Sequence, residues 1–540
     1  MSARSKVKQS DLFKRRSRVR WLAPSVLLKS LKPVLVSGLF TSYSDRREVQ
    51  GVLSQGIVYR SDADELWVDY VADTGDGFDA TATVASLLAP ESLTVEGTHT
   101  RAGNLLVLGG DEVYPTASMD EYKERFIKPF RAMLPCSPPD DHRVMVAVPG
   151  NHDWYDGLTA FQQVFCGGQW VGGWKTVQRR SYFACQLPHG WWLWGIDIQL
   201  DTYIDHPQID YFKRMATEVK AGDQIILCWA KPAWVQAGEE KPQAYATLDY
   251  FQRNIVPDRA RVRLSLTGDS HHYARYEAAD GEQKITAGLG GAFLSATHHL
   301  PPTLELPAQR RIDPPALFER RKEFPACPAS KRVRWGVLRA IYANGGFVFV
   351  PGLGYLGLAA CATRARRPWV ATGLAAVGAI GACVAFSKEK KPADWGPGVA
   401  HGVAHVAIAL AATSLLRGRV GGRRVPVTGA AAVGAAVGPL LFSAYLLAAD
   451  HIGLFGRNTN ELFSALAIEG HKGFLRLHFQ PDGELTVYPI KVDEVARWKP
   501  DRNHPTWPDL PDAPRFEADP APVPTFIEKA FKVSRKTVSK

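Results

Sequence analysis

Short apolar runs that end in glycine and a polar side chain recur through the first half of the chain. Leu105-Leu106-Val107-Leu108 leads into Gly110-Asp111-Glu112-Val113-Tyr114, and Val144-Met145-Val146-Ala147-Val148 into Gly150-Asn151-His152-Asp153. Val262-Arg263-Leu264-Ser265-Leu266 leads into Gly268-Asp269-Ser270-His271-His272, and Leu66-Trp67-Val68 stands just before Asp73-Thr74-Gly75. Runs of this length bounded by turn residues predict buried strands. A metal-binding or acid–base side chain at a strand's C-terminal tip is where α/β folds place their chemistry.

The pattern changes in the second half. From about Tyr342 to Ala449 the chain is dominated by Ala, Gly, Leu and Val, in four spans of about 342–363, 369–387, 398–416 and 426–449. Each is near the roughly 20 residues that a helix needs to cross a bilayer's hydrocarbon core. Basic connectors separate them: Arg364-Ala365-Arg366-Arg367, Lys388-Glu389-Lys390-Lys391, and Arg417-Gly418-Arg419 with Arg423-Arg424. Small residues such as Gly373, Ala375, Gly378 and Gly381 suit close packing of transmembrane helices. His401 and His405 stand one helical turn apart in the third span. Such a pair can bind metal or pack through hydrogen bonds, and packing is the reading adopted at this point.

Soluble patterning then returns. Residues 473–479 and 485–490 alternate around the turn Pro481-Asp482-Gly483-Glu484, which predicts a β-hairpin. Two strands form no stable unit alone, so the hairpin is expected to join the sheets of the first half. The organisation is therefore a basic arm over 1–50, a catalytic domain over 51–335, a transmembrane module over 336–450, returning strands over 451–495 and a Pro-rich tail over 496–540. A short helix is expected in that tail at Phe526–Val533.

Charge and cysteine narrow the setting. Lysine and arginine total 65 against 54 acids, a net +11, with a strong concentration in Arg15-Arg16-Ser17-Arg18-Val19-Arg20 and the connectors. A basic arm beside a membrane module suits anionic headgroups or plain solvation, and no nucleic-acid motif accompanies it. The seven cysteines (Cys136, Cys166, Cys185, Cys228, Cys327, Cys361, Cys383) show no CxxC spacing, against a zinc ribbon or disulfide framework. The N-terminal stretch has no apolar signal core. Together these features predict an integral membrane protein with a cytoplasmic catalytic domain.

The strand-tip motifs, in this order, resemble those of the calcineurin-like metallophosphoesterase superfamily. Asp73-Thr74-Gly75 with Gly110-Asp111-Glu112-Val113-Tyr114 is similar to the purple-acid-phosphatase variant. The resemblance implies an α/β fold of two packed mixed sheets flanked by helices, here with an inserted bundle of about four transmembrane helices. It implies two divalent or trivalent metal ions (Mn, Fe, Zn or Mg), with Asp111 as the bridge. Asp73, His271 and Tyr114 would hold the first ion, and Asn151 and Asp269 would share the second with Asp111. His152 would contact phosphate and protonate the leaving group, oriented by Asp153.

Two positions depart from the family pattern. Ala230, in Trp229-Ala230-Lys231-Pro232, stands where the family has a histidine, and Asp269 replaces the first histidine of the last motif. An oxygen ligand in place of nitrogen favours harder cations such as Mn²⁺ or Mg²⁺. Lys231 can contact a phosphate or compete with a cation. His298 and His299 follow the glycine-rich 287–294 stretch, which is expected to run back toward the metal centre. The implied function is metal-dependent hydrolysis of a phosphomonoester or phosphodiester, small-molecule or lipid-linked, by activated water. The alternative is a degenerate domain that binds a phosphorylated ligand as a membrane sensor or scaffold.

Overall fold

The computed structural model describes residues 15–30, 50–134, 143–198, 203–238, 242–344, 346–387, 395–419, 424–451, 458–500 and 516–535. Most of the basic arm, Cys136, Lys388-Glu389-Lys390-Lys391, Arg423 and the middle of the Pro-rich tail lie outside the described residues. The chain forms two compact units. One comprises Met1–Val19, Ser30–Cys327 and Glu469–Lys540; the other comprises Arg20–Lys29 and Pro328–Ile468.

The larger unit is built on two sheets. In the first, β1 (Leu66–Val71), β2 (Leu105–Leu108) and β3 (Arg143–Ala147) run parallel as neighbours. The second carries β4 (Phe183–Leu187), β5 (Trp191–Gly195), β6 (Gln224–Cys228), β7 (Arg261–Thr267), β8 (Tyr273–Ala278) and β9 (Gln283–Ala287). Within it β5, β6, β7 and β9 are parallel, whereas β4 is antiparallel to β5 and β8 is antiparallel to β9. The hairpin of β10 (Lys472–Phe479) and β11 (Leu485–Val492) pairs antiparallel with β1, which extends the first sheet.

Side chains alternate across each strand, and the burial follows that alternation. Tyr70, Val107, Val146, Leu193, Ile226, Leu264 and Leu475 share one core between the sheets. Leu106, Leu108 and Met145 point the other way, onto Phe126, Phe130 and Phe161 of the helical layer. Trp192, Trp194, Ile225 and Leu227 do the same on the far sheet, against Phe212 and Phe251. The result is an α/β architecture of mixed sheets packed face to face with helices outside.

The tail departs from expectation. Residues 526–533 form no helix; Thr525–Phe526 and Phe531–Val533 are strands paired with β11. The open edge of β11 offers unpaired backbone groups, and satisfying them outweighs a local helical preference. Glu528 anchors the segment, accepting from Arg275 at 2.9 and 2.7 Å and from the Tyr273 hydroxyl at 2.6 Å.

The smaller unit contains α1 (Phe349–Arg364), α2 (Pro368–Phe386), α3 (Gly396–Arg419) and α4 (Arg424–His451). Three of these, α2, α3 and α4, are long and apolar enough to cross a membrane. The expected first span is broken, because the helix Val337–Ala343 ends at Asn344 and α1 has only 16 residues. Sixteen residues rise about 24 Å, short of a hydrocarbon core of about 30 Å. Glycine sets the helix spacing: a Cβ on Gly402 of α3 would lie 2.6 Å from the Ile380 Cα of α2, and one on Gly434 of α4 would lie 2.7 Å from the Tyr355 ring of α1. The outer surface is apolar. No residue of α2 is buried, and Trp369, Leu374 and Val377 are 79%, 70% and 70% exposed.

Candidate metal centre

Three aspartates carry the site, and the backbone holds all three in an unusual conformation. Asp73 follows β1, Asp111 follows β2 and Asp269 follows β7, with φ of 60°, 54° and 61°. Left-handed backbone costs a non-glycine residue about 1–3 kcal/mol and persists only where the surroundings fix it, typically at functional sites. The short side chain of Asp tolerates it better than most. Here the turn bends each carboxyl back over its strand's end, so tips from both sheets meet.

The side chains converge. The Tyr114 hydroxyl lies 2.8 Å from Asp73 Oδ1, 3.3 Å from Asp111 Oδ2 and 3.1 Å from His271 Nε2. His271 Nε2 is 3.5 Å from Asp73 Oδ1, which also accepts the Asp269 backbone N–H at 3.2 Å. The amide atom of Asn151 that faces the acids lies 3.1 Å from Asp111 Oδ2 and 3.2 Å from Asp269 Oδ1. Nitrogen there donates to both carboxylates, whereas oxygen there completes a ring of oxygens that only a cation reconciles. Tyr155, four residues on, meets the other end of the amide at 2.9 Å. Asp73, Asp111, Tyr114, Asn151, Asp269 and His271 are thus brought together.

His152 sits at the rim with its ring fixed: Nδ1 is 2.6 Å from the Pro115 carbonyl, and its backbone N–H donates to Asp111 Oδ1 at 2.8 Å. Burial lowers its pKa to about 4. Asp153 corrects an expectation. It does not orient the His152 ring; its Oδ2 accepts the N–H groups of Asp111 (2.9 Å) and Gly150 (2.7 Å), and its Oδ1 accepts from the Tyr122 hydroxyl. Successive helical residues point about 100° apart, so neighbours in Asn151–Trp154 cannot share one target. Asp153 braces the turns that carry Asp111 and Asn151.

The electrostatics of the cluster call for positive charge. Asp73 and Asp111 are 0% and 2% exposed. Burial first, and then the neighbouring carboxylates, push both pKa values well above the usual range. Asp269 presses on Asp73, and Asp153, Asp73 and Asp269 press on Asp111. Burial and the same acids raise the Tyr114 hydroxyl well above its ordinary value. Asp73 Oδ2 is fully enclosed without a hydrogen-bond partner. Buried like charges without compensation are costly. An oxygen-rich donor set with one imidazole suits hard or borderline divalent and trivalent cations, so these residues fit a metal centre.

Residues 66–273 match the family description calcineurin-like phosphoesterase. A search of curated proteins finds no match to the chain. All eight site residues expected from the sequence fall inside the matched segment.

Further residues border the cluster without a signal singled out in the sequence. Glu112 is buried beside Asp111, and its Oε1 accepts the Gly110 N–H at 3.2 Å. Tyr155 was open to inference, because i and i+4 positions share a helix face. Lys472 had no local signal: it opens β10, is 1% exposed, and burial lowers its pKa to about 8 against the pull of Asp76, Glu469 and Asp73. Ala230 lies at the tip of β6, where its carbonyl accepts the Gly268 N–H at 2.8 Å. A Cβ on Gly110 would come 2.8 Å from the Ala230 Cβ, so the substituted position borders the cluster without offering a ligand. The Lys231 carbonyl accepts from Trp229 Nε1 at 2.7 Å. His298 and His299 pack on each other, with ring centroids 4.2 Å apart.

Proposed function

We propose that this chain is a metal-dependent phosphoric ester hydrolase, acting on a phosphomonoester or phosphodiester and tethered to a membrane by its helical unit. The observation that carries the reading is the convergence of three left-handed aspartates from two sheets on one buried, like-charged cluster. In this reading Asp111 is the shared ligand, since its Oδ2 faces both the Tyr114 hydroxyl and the Asn151 amide. Asp73, His271 and Tyr114 would hold one cation, and Asn151 and Asp269 would hold the other. Bound cations would neutralise phosphate oxygens and lower the pKa of the attacking water.

The protein's own groups do the rest. Tyr155 would anchor the outer end of the Asn151 amide: with cations bound, the amide oxygen would turn inward and its nitrogen donate to the Tyr155 hydroxyl at 2.9 Å. Asp153 holds the Asp111 and Gly150 backbone in place. His152, its ring fixed by the contact of Nδ1 with the Pro115 carbonyl, would supply the proton for the leaving oxygen. A phosphate anion beside that nitrogen favours the charged imidazolium, against the burial that lowers its pKa.

Exposed apolar faces on α2, with α3 and α4 of similar length and composition, support insertion into lipid. We place the phosphoesterase domain on the cytoplasmic side, acting on a small-molecule or lipid-linked phosphate. Ala230 supports a second reading, a sensor or scaffold that binds a phosphorylated ligand without turnover. Hydrolysis of bis-p-nitrophenyl and p-nitrophenyl phosphate by the purified full chain with Mn²⁺ separates the two. Turnover that disappears in Asp73→Asn is expected. Turnover equal to that variant's, with one bound metal or none, would overturn the hydrolase reading in favour of the sensor.

A further inference from the structure

The helical unit carries its own cluster of nitrogen ligands. On α3, His401 and His405 face each other through their Nε2 atoms at 3.0 Å. Both lie among helices: His401 is 6% exposed and stacks on Tyr445 of α4, with centroids 4.3 Å apart and planes 6° from parallel. Tyr355 of α1 places its hydroxyl 3.1 Å from His405 Nδ1. Gly438 lets α4 approach, since a Cβ there would lie 3.8 Å from His405 Cε1. Two imidazoles are therefore held by three helices in one arrangement, with little freedom left to lose on binding a ligand.

A hydrogen bond can use only one proton between the two Nε2 atoms, so one ring donates and the other accepts. If His405 donates, its Nδ1 accepts from Tyr355, and the remaining proton of His401 falls on Nδ1, which is buried without a partner. A cation between the Nε2 atoms uses both lone pairs instead. Each Nδ1 then carries hydrogen: His405 donates to the Tyr355 oxygen, the outer-shell arrangement that ligating histidines ordinarily show, while His401 Nδ1 stays buried without a partner, as it is without the cation.

We propose that His401 and His405 bind one divalent transition cation of the Ni²⁺ or Cu²⁺ class inside the helical unit, at a site separate from the phosphoesterase centre. The spacing favours that class. Nitrogens 3.0 Å apart, each about 2.0–2.1 Å from a cation, subtend an angle of roughly 91–97°. That matches cis positions of a tetragonal site, whereas tetrahedral Zn²⁺ requires a wider pair. The donor set is also softer than the aspartate-rich cluster, so Mn²⁺ or Mg²⁺ and this cation sort to different sites.

The test is Cu²⁺ binding to the untagged full chain in detergent, followed by electron paramagnetic resonance. We expect one tightly bound Cu²⁺ whose nitrogen couplings report two imidazoles. The signal should persist in His271→Ala, which removes the imidazole of the phosphoesterase centre. It should fall at least tenfold in occupancy in His405→Gln, with Mn²⁺-dependent phosphoesterase turnover unchanged. A two-nitrogen signal that survives His405→Gln, or one that disappears in His271→Ala, would overturn the proposal. So would a wild-type spectrum without two-nitrogen coupling, and that arm does not depend on how well any variant folds.

Discussion

The two units break the same rule in opposite directions. The larger unit places charge inside: Asp73, Asp111 and Asp153 have at most 2% exposure, and burial first, then neighbouring carboxylates, raise the pKa values of Asp73 and Asp111. The helical unit places hydrocarbon outside, with Leu374 and Val377 each 70% exposed on α2. Ordinary folding physics penalises both, by desolvation in the first case and by wetted apolar surface in the second. The cations and the lipid proposed above would each remove one of these violations.

The comparison can be broken most forcefully at the charge cluster. Asp111→Asn removes the charge that faces both halves of the site, and turnover should fall about 10³-fold, roughly 4 kcal/mol of transition-state stabilisation. Steady-state kinetics under saturating Mn²⁺ checks this; a fall below tenfold would remove Asp111 from its shared role. On the other side, Val377→Lys puts a charge near the middle of α2. It should cost about 2.5–3.5 kcal/mol of insertion free energy, seen as loss of the chain from the membrane fraction. Normal partitioning of that variant would show that α2 does not meet lipid.

Metal removal sharpens the electrostatic half. In the stripped protein, Asp73 and Asp111 have folded pKa values raised above their unfolded ones. Stability is therefore highest below the ordinary carboxyl pKa and falls as pH rises above it, because ionising these groups within the fold is unfavourable. Bound cations reverse that penalty. Chelation should lower the melting temperature at pH 8 by more than at pH 5, with about 2.7 kcal/mol at stake when metal stands at 100 times its Kd. An equal shift at both pH values would argue against cation compensation. The smallest effect is expected from Tyr155→Phe, which frees the Asn151 amide. Metal affinity at one of the two sites should weaken about 10–100-fold, by titration calorimetry, while the other site is unchanged.

Much of the candidate site's geometry was legible because ligand chemistry restricts residue types, and strand runs restrict where they sit. The tips at Asp73, Asp111 and Asp269 needed both constraints, and the structure brings their side chains together. What local pattern cannot carry is direction and long-range pairing. Asp153 adjoins His152, yet the helix turns it toward the Asp111 backbone. Residues 526–533 have no internal reason to be extended; the edge of β11 supplies it. In the first apolar span, average composition hid the interruption at Asn344, whose backbone (φ −83°, ψ 54°) ends the preceding helix.

The central claim is that the strand tips hold a pair of cations sharing Asp111. The most direct test is to count Mn²⁺ in the purified full chain and to record its electron paramagnetic resonance spectrum beside Asp111→Asn. The account predicts two Mn²⁺ per chain with a spin-coupled signal, and loss of the coupling in the variant. One ion or none, with a spectrum that Asp111→Asn leaves unchanged, would contradict it.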